Sequence, residues 1–137
     1  MYPPELVIPR KKDLSEHGFE ELTTAHEVDE LLKEKGTTFV VINSICGCAA
    51  ANARPAAKFA VENSDKTPLH LATAFAGVDT EAVARLREYM LPYPPSSPSM
   101  ALFKDGNLVE VVERHQIEGR PAELIAQHLM RAFGTHC

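Results

Sequence analysis

The apolar run Phe39-Val40-Val41-Ile42, followed by Cys46-Gly47-Cys48 and the alanine-rich stretch Ala49–Ala60, limits what this chain can fold into more than any other feature. Consecutive apolar residues, mostly β-branched, describe a buried strand, and the small-residue segment behind it describes a helix. A strand passing directly into a helix places whatever lies between them at the helix N-terminus. The paired thiols therefore fall at the first helical turn, where reagents can reach them.

Unpaired backbone N–H groups and the helix dipole stabilise an anion there by roughly 0.3–1 kcal/mol, and by up to about 2 kcal/mol when partly buried. At about 1.4 kcal/mol per pKa unit, the Cys46 thiol is expected to be lowered by on the order of one unit, which makes it a competent nucleophile near neutrality. Cys48 lies deeper in the helix and is the less accessible of the two. Attack by Cys46 and resolution of the mixed disulfide by Cys48 follow as the division of labour. Residues i and i+2 point to different sides of a helix, so closing Cys-x-Cys needs a backbone distortion that Cys-x-x-Cys does not. Gly47 is read as the residue that permits it, being free to take unusual φ and ψ. Such a pair suits exchange rather than permanent cross-linking.

The 137 residues, 45% hydrophobic and 24% charged, suffice for one domain, 1–137, with a real core. No stretch nears the roughly 20 apolar residues of a membrane span, and Met1–Glu21 lacks the apolar centre of a signal peptide, so a cytoplasmic location without a membrane partner is expected. The formal net charge of −5, with signs interspersed and Arg10-Lys11-Lys12 as the only basic cluster, speaks against a nucleic-acid surface. Three cysteines in a reducing compartment argue against a disulfide framework and for catalytic, metal-binding or inert thiols. The third, Cys137, is the last residue, preceded by His136.

Along the chain, residues 1–22 form an N-terminal extension, irregular around Tyr2-Pro3-Pro4 and Ile8-Pro9, with a turn of helix near Glu16–Leu22. Thr24-x-x-Glu27 is a capping box opening a helix that Gly36 ends. The strand Thr37–Asn43 leads into the Cys46 helix, which runs to about Asn63 and which Pro55 kinks or restarts. Leu69–Ala76 is β-like, and Thr80–Tyr89 is helical. Leu91–Pro98 holds four of the ten prolines and is a placement loop. Asp105-Gly106 joins Met100–Lys104 and Leu108–Glu113 as a hairpin, and a last helix runs from Pro121 to Phe133. A β-α-β-α order followed by a hairpin predicts a four-stranded mixed sheet with helices on both faces.

This order, with a dithiol between the first strand and its helix and with Ser97-Pro98-Ser99-Met100-Ala101-Leu102-Phe103-Lys104-Asp105-Gly106 behind it, resembles the thioredoxin fold. The resemblance makes Pro98 a cis-proline beside the dithiol, whose neighbours could pair with a substrate as a short strand. Asn43-Ser44-Ile45-Cys46-Gly47-Cys48, Ala53-Arg54-Pro55-Ala56-Ala57, Phe75-Ala76-Gly77, Pro95-Ser96-Ser97-Pro98-Ser99, Arg114-His115-Gln116-Ile117-Glu118-Gly119 and terminal His136-Cys137 resemble a narrower group, the bacilliredoxin family. What the family implies is an oxidoreductase that reduces mixed disulfides between proteins and bacillithiol, a low-molecular-weight thiol, with disulfide isomerase-type activity. Bacillithiol is then a co-substrate, with no bound cofactor, and the partners are S-bacillithiolated client proteins met by a monomer or weak dimer. Ordinary thioredoxins carry a buried carboxylate on the first strand where this chain has Val40.

The candidate catalytic residues are thus Cys46 and Cys48, with Ser97, Pro98, Gly47, Asn43 and Arg54 as substrate-binding candidates. Arg54 is either a helix-surface charge or an anion binder roughly two turns from Cys46. Asn43 and Ser44 satisfy loop backbone and lie within reach of the dithiol. Cys137 is a flexible terminal residue, an auxiliary resolving thiol or an intermolecular cross-link. Three rival functions remain: a disulfide isomerase independent of any small thiol, an interaction module whose dithiol only senses redox state, and a metal-binding protein using Cys46, Cys48 and Cys137 with His136, which requires the C-terminus to fold back onto the helix start.

Overall fold

Pro3 and Pro4 begin a helix rather than an irregular arm. In the computed structural model, which describes residues 2–137, α1 spans Pro4–Ser15 with Pro3 as its N-cap. Pro4 stands at a first-turn position whose N–H has no helical partner to lose. Pro9, inside the helix, forgoes one bond. The helical turn expected near Glu16–Leu22 is absent. There the chain reverses at Gly18, with φ +92°, and forms a short strand, β1, over Glu20–Glu21.

Helix α2, Ala25–Leu32, has the expected capping box: the Glu27 N–H donates to Thr24 Oγ1 at 3.1 Å and the Thr24 N–H donates to Glu27 Oε1 at 3.1 Å. A cap of this kind is worth about 1 kcal/mol. Strand β2, Thr37–Asn43, is buried at every position. After the dithiol come α3, Arg54–Asn63, then β3, His70–Phe75, and α4, Thr80–Tyr89. Strands β4, Ser99–Lys104, and β5, Asn107–Val112, form the hairpin, and α5 spans Ala122–His136.

The sheet has five strands in the order β1-β3-β2-β4-β5, one more than the four expected. The addition is β1, which pairs in parallel with Ala72 and Thr73 of β3 and is too short to leave an alternating pattern in sequence. β2 and β3 are parallel, and β4 runs antiparallel to both β2 and β5. At the hairpin, Asp105 and Gly106 have φ of 51° and 81°, the pair of positive values a tight two-residue turn requires. A Cβ on Gly106 would come within 2.8 Å of the Leu32 carbonyl oxygen, so the tip rests against the end of α2 and tolerates only glycine.

Alternation along the strands divides the interior in two. Phe39 and Val41, with Met100 and Leu102, face α1, α3 and α5; Val40 and Ile42, with Ala101 and Phe103, face α2 and α4. On the first face Phe39 meets Phe133 edge-on at 5.1 Å and Phe19 at 6.0 Å. Ala53, Ala56, Ala57 and Ala60 are fully buried there, and their small side chains let α3 lie close to the sheet and to α5. Pro55 and Phe59 share a groove with Ala122 and Ala126, whereas Asn63 and Lys66 share one with Met130 and Gly134. Helices α3 and α5 therefore run parallel, and both their N-termini lie at the end of the molecule that holds the thiols.

Candidate active site

Asn43 ends β2, and its side chain turns the chain outward. Its Oδ1 accepts the Ser44 N–H at 2.8 Å, and Ser44 Oγ in turn accepts the Cys46 N–H at 2.9 Å. Helical geometry begins at Gly47, one residue after the nucleophile, and the Ala49 N–H donates to the Cys46 carbonyl at 3.0 Å. Residues Ala49–Ala53 form a widened π-helical turn that closes with the Arg54 N–H on the Ala49 carbonyl. In this dithiol state Gly47 is not among the residues of positive φ, and the irregularity falls in the turn after Cys48. Such widened turns recur at functional sites. A Cβ on Gly47 would meet nothing within 4 Å, so the residue leaves open space beside the sulfurs.

Both thiols are half-buried and free. Cys46 Sγ lies 2.7 Å from Cys48 Sγ and 3.4 Å from the Cys48 N–H. The thiol of Cys46 is held below its ordinary value, first by the hydrogen bond from the Cys48 thiol and then by the Cys48 backbone N–H; burial opposes both, and the Arg114 charge adds a smaller lowering. Cys48 is pushed up, first by burial and then by donating to Cys46 and facing its charge. The two environments push the sulfurs in opposite directions, Cys46 toward the thiolate and Cys48 toward the thiol, which is the arrangement a nucleophile and a delayed resolving thiol require.

Arg114 is the residue that sequence reasoning missed as a participant. It follows β5 in a single 3₁₀ turn, Arg114–Gln116, and its guanidinium makes three contacts at once. Nη2 donates to Cys46 Sγ at 3.4 Å, Nη1 to the Ser97 carbonyl at 3.1 Å and Nε to Glu118 Oε2 at 3.1 Å. Its backbone N–H donates to Ser96 Oγ at 3.2 Å. One side chain thus joins the nucleophile to the segment before Pro98. The Ser97–Pro98 peptide bond is cis, as is Leu91–Pro92, which sequence did not suggest. In sequence Arg114 stands out only as the first residue of the stretch Arg114–Gly119 that resembles the bacilliredoxin family, with nothing to tie it to the thiols.

Asn43 and Arg54 stand close to the dithiol but face inward. Asn43 is 1% exposed and Arg54 5% exposed, and their polar atoms are engaged with each other and with α1. Ser97 and Pro98 stand beside the dithiol through Arg114, Ser97 half-buried and Pro98 buried. Val40 is fully buried among apolar neighbours and offers the thiols no carboxylate.

Cys137 is exposed at the C-terminal end of α5, where its N–H donates to the Phe133 carbonyl at 2.8 Å. Because α5 runs parallel to α3, that end points away from Cys46 and Cys48. The ligand set of Cys46, Cys48, His136 and Cys137 is not assembled, and among the described residues no group of three or more His, Cys, Asp or Glu is placed to hold a metal ion.

Comparison with known proteins agrees with this geometry. The disulphide isomerase family model matches residues 2–137. A bacilliredoxin of Cytophaga hutchinsonii is 58% identical over 97% of this chain and 98% of its own length. One from Bacillus licheniformis is 51% identical over 99% of this chain and 95% of its own. Among solved structures, the oxidised thioredoxin of Plasmodium falciparum superposes with a TM-score of 0.60 at 15% identity, covering 84% of this chain and 98% of that one, a likeness of fold.

Proposed function

The chain belongs to the bacilliredoxin family, matched by the disulphide isomerase family model, and is a thiol–disulfide oxidoreductase of thioredoxin-like fold; from this premise we propose that its substrates are mixed disulfides between proteins and bacillithiol. The observation that carries the reading is the convergence on the Cys46 sulfur of the Cys48 thiol at 2.7 Å, the Cys48 N–H at 3.4 Å and the Arg114 guanidinium at 3.4 Å, an arrangement that lowers Cys46 and raises Cys48.

In the first step the Cys46 thiolate attacks the bacillithiol sulfur of the mixed disulfide. The old S–S bond breaks, a Cys46–bacillithiol disulfide forms, and the client sulfur departs as a thiolate that takes a proton from water. Once Cys46 is capped it carries no charge and no longer accepts from Cys48. Two of the causes that hold the Cys48 proton then vanish, and burial alone remains. Cys48 thus ionises more readily after capture than before. Its thiolate attacks Cys46 Sγ, releasing bacillithiol and leaving a Cys46–Cys48 disulfide. A second bacillithiol can instead attack the captured bacillithiol sulfur, which yields bacillithiol disulfide and free Cys46. The enzyme disulfide returns to the dithiol by the same exchange run with two further thiols.

The test is transfer of the bacillithiol mass from a bacillithiolated client onto Cys48→Ala protein. The expected result is a client freed of the adduct and an enzyme carrying it on Cys46. A client that keeps its adduct while Cys46 stays unmodified contradicts the proposal. Rearrangement of client disulfides at full rate without bacillithiol would instead assign the protein to isomerisation independent of any small thiol.

A further inference from the structure

Behind the sulfurs lies a polar network that the exchange steps do not use. Arg54 Nε donates to Asp13 Oδ2 of α1 at 2.9 Å, and its Nη1 donates to Asn43 Oδ1 at 3.0 Å and reaches the Ser44 carbonyl at 3.5 Å. One turn along α3, Lys58 donates to Asp13 Oδ1 at 2.6 Å. Asn43 Nδ2 donates back to the Arg10 carbonyl of α1 at 3.1 Å. From Asn43 the bonds continue through the Ser44 N–H and Ser44 Oγ to the backbone N–H of Cys46. A guanidinium buried this deeply is tolerated only when its donors are satisfied, so its partners have little freedom.

We propose that α1 is a working part of the active site. Asp13 and Arg54 are positioning residues that, through Asn43 and Ser44, fix the Cys46 backbone so that its sulfur meets the Cys48 N–H and the Arg114 guanidinium. Attachment of α1 does not require this network: Val7 and Leu14 are buried, and Lys11 pairs with Asp79 at 2.9 Å. The Asp13–Arg54 arm ends instead on the two residues that precede the turn to the nucleophile, and its last bond is to the nucleophile's own N–H. Arg54 makes no contact with the sulfur, so its effect is one of position. The sulfur's charged and titratable neighbours are Cys48 and Arg114, the latter paired with Glu118. Those of Asp13 are Arg54 and Lys58 on α3.

The experiment is the pH dependence of Cys46 alkylation by iodoacetamide in the full chain, with the modified cysteine assigned by peptide mass. Asp13→Asn removes the charge at one end of the network and Ser44→Ala removes the acceptor at the other, while Asp13→Glu keeps the carboxylate. Asp13→Asn and Ser44→Ala are expected to raise the inflection and slow alkylation at pH 7 by roughly three- to tenfold, the effect of half to one pKa unit on the thiolate fraction. Asp13→Glu is expected to recover most of the loss. A purely structural network predicts lower melting temperatures with the wild-type inflection kept, and that result in either variant overturns the proposal. If Asp13→Asn does not fold, Ser44→Ala, a one-atom deletion, decides by the same criterion.

Discussion

The parallel helices α3 and α5 carry cysteines near both ends, and the two ends differ in what surrounds the sulfur. At the N-terminal end Cys46 has a thiol donor at 2.7 Å, a backbone N–H at 3.4 Å and a guanidinium at 3.4 Å. At the C-terminal end Cys137 is exposed to solvent, and its backbone N–H donates to the Phe133 carbonyl. Exposure alone favours Cys137. Reactivity here is made by converging donors, which the N-terminal end supplies and the C-terminal end does not.

The greatest loss is expected from removing the sulfurs themselves. Cys46→Ser is expected to abolish disulfide exchange, whereas Cys137→Ser keeps wild-type turnover in the same client assay; equal losses would erase the distinction between the ends. Next is Cys48→Ala, which is expected to slow capture, since Cys46 loses its first donor, and to stall release, so that the Cys46 adduct accumulates in the mass spectrum when no free thiol is added. Arg114→Ala should act on the donors. A thiol held low loses its anion as pH falls through its folded-state value, so removing a cation moves that fall to higher pH and slows alkylation at pH 7 by roughly three- to tenfold. Arg114→Lys, lacking the fork that spans Cys46 Sγ and Ser97, should recover only part of this.

Packing variants sharpen the comparison by separating fold from chemistry. Ala57→Leu, in the seam between α3 and the sheet, is expected to cost about 1–3 kcal/mol in denaturant unfolding through overpacking. Thr24→Ala, which removes the α2 cap on the far face, should cost about 1 kcal/mol and leave the Cys46 inflection unchanged. A shifted inflection in Thr24→Ala would mean that the sulfur responds to global stability rather than to its local donors.

Much of this was legible in sequence because it rests on local rules. The buried run Phe39–Ile42, the Thr24 capping box and the Asp105-Gly106 turn each encode their geometry within a few residues, and the observed elements fall close to the expected ranges. Helix α1 was hidden because prolines read as breakers unless one knows that Pro4 occupies the first turn. Arg114 was hidden for another reason. It reaches Cys46 from 68 positions away only because β5 is carried to the dithiol end by its pairing with β4, a tertiary fact. The inward turn of Arg54 was equally invisible, since its partner Asp13 sits on the helix that sequence did not foresee.

The central claim is that the Cys46 sulfur is ionised by its surroundings. Its most direct test is the pH–rate profile of Cys46 alkylation in the reduced wild-type protein, assigned by peptide mass and read against the free-thiol value of about 8.5. An inflection clearly below that value is expected, with Cys46 modified ahead of Cys137 at pH 7. An inflection at or above the free-thiol value, or Cys137 reacting first, would contradict it.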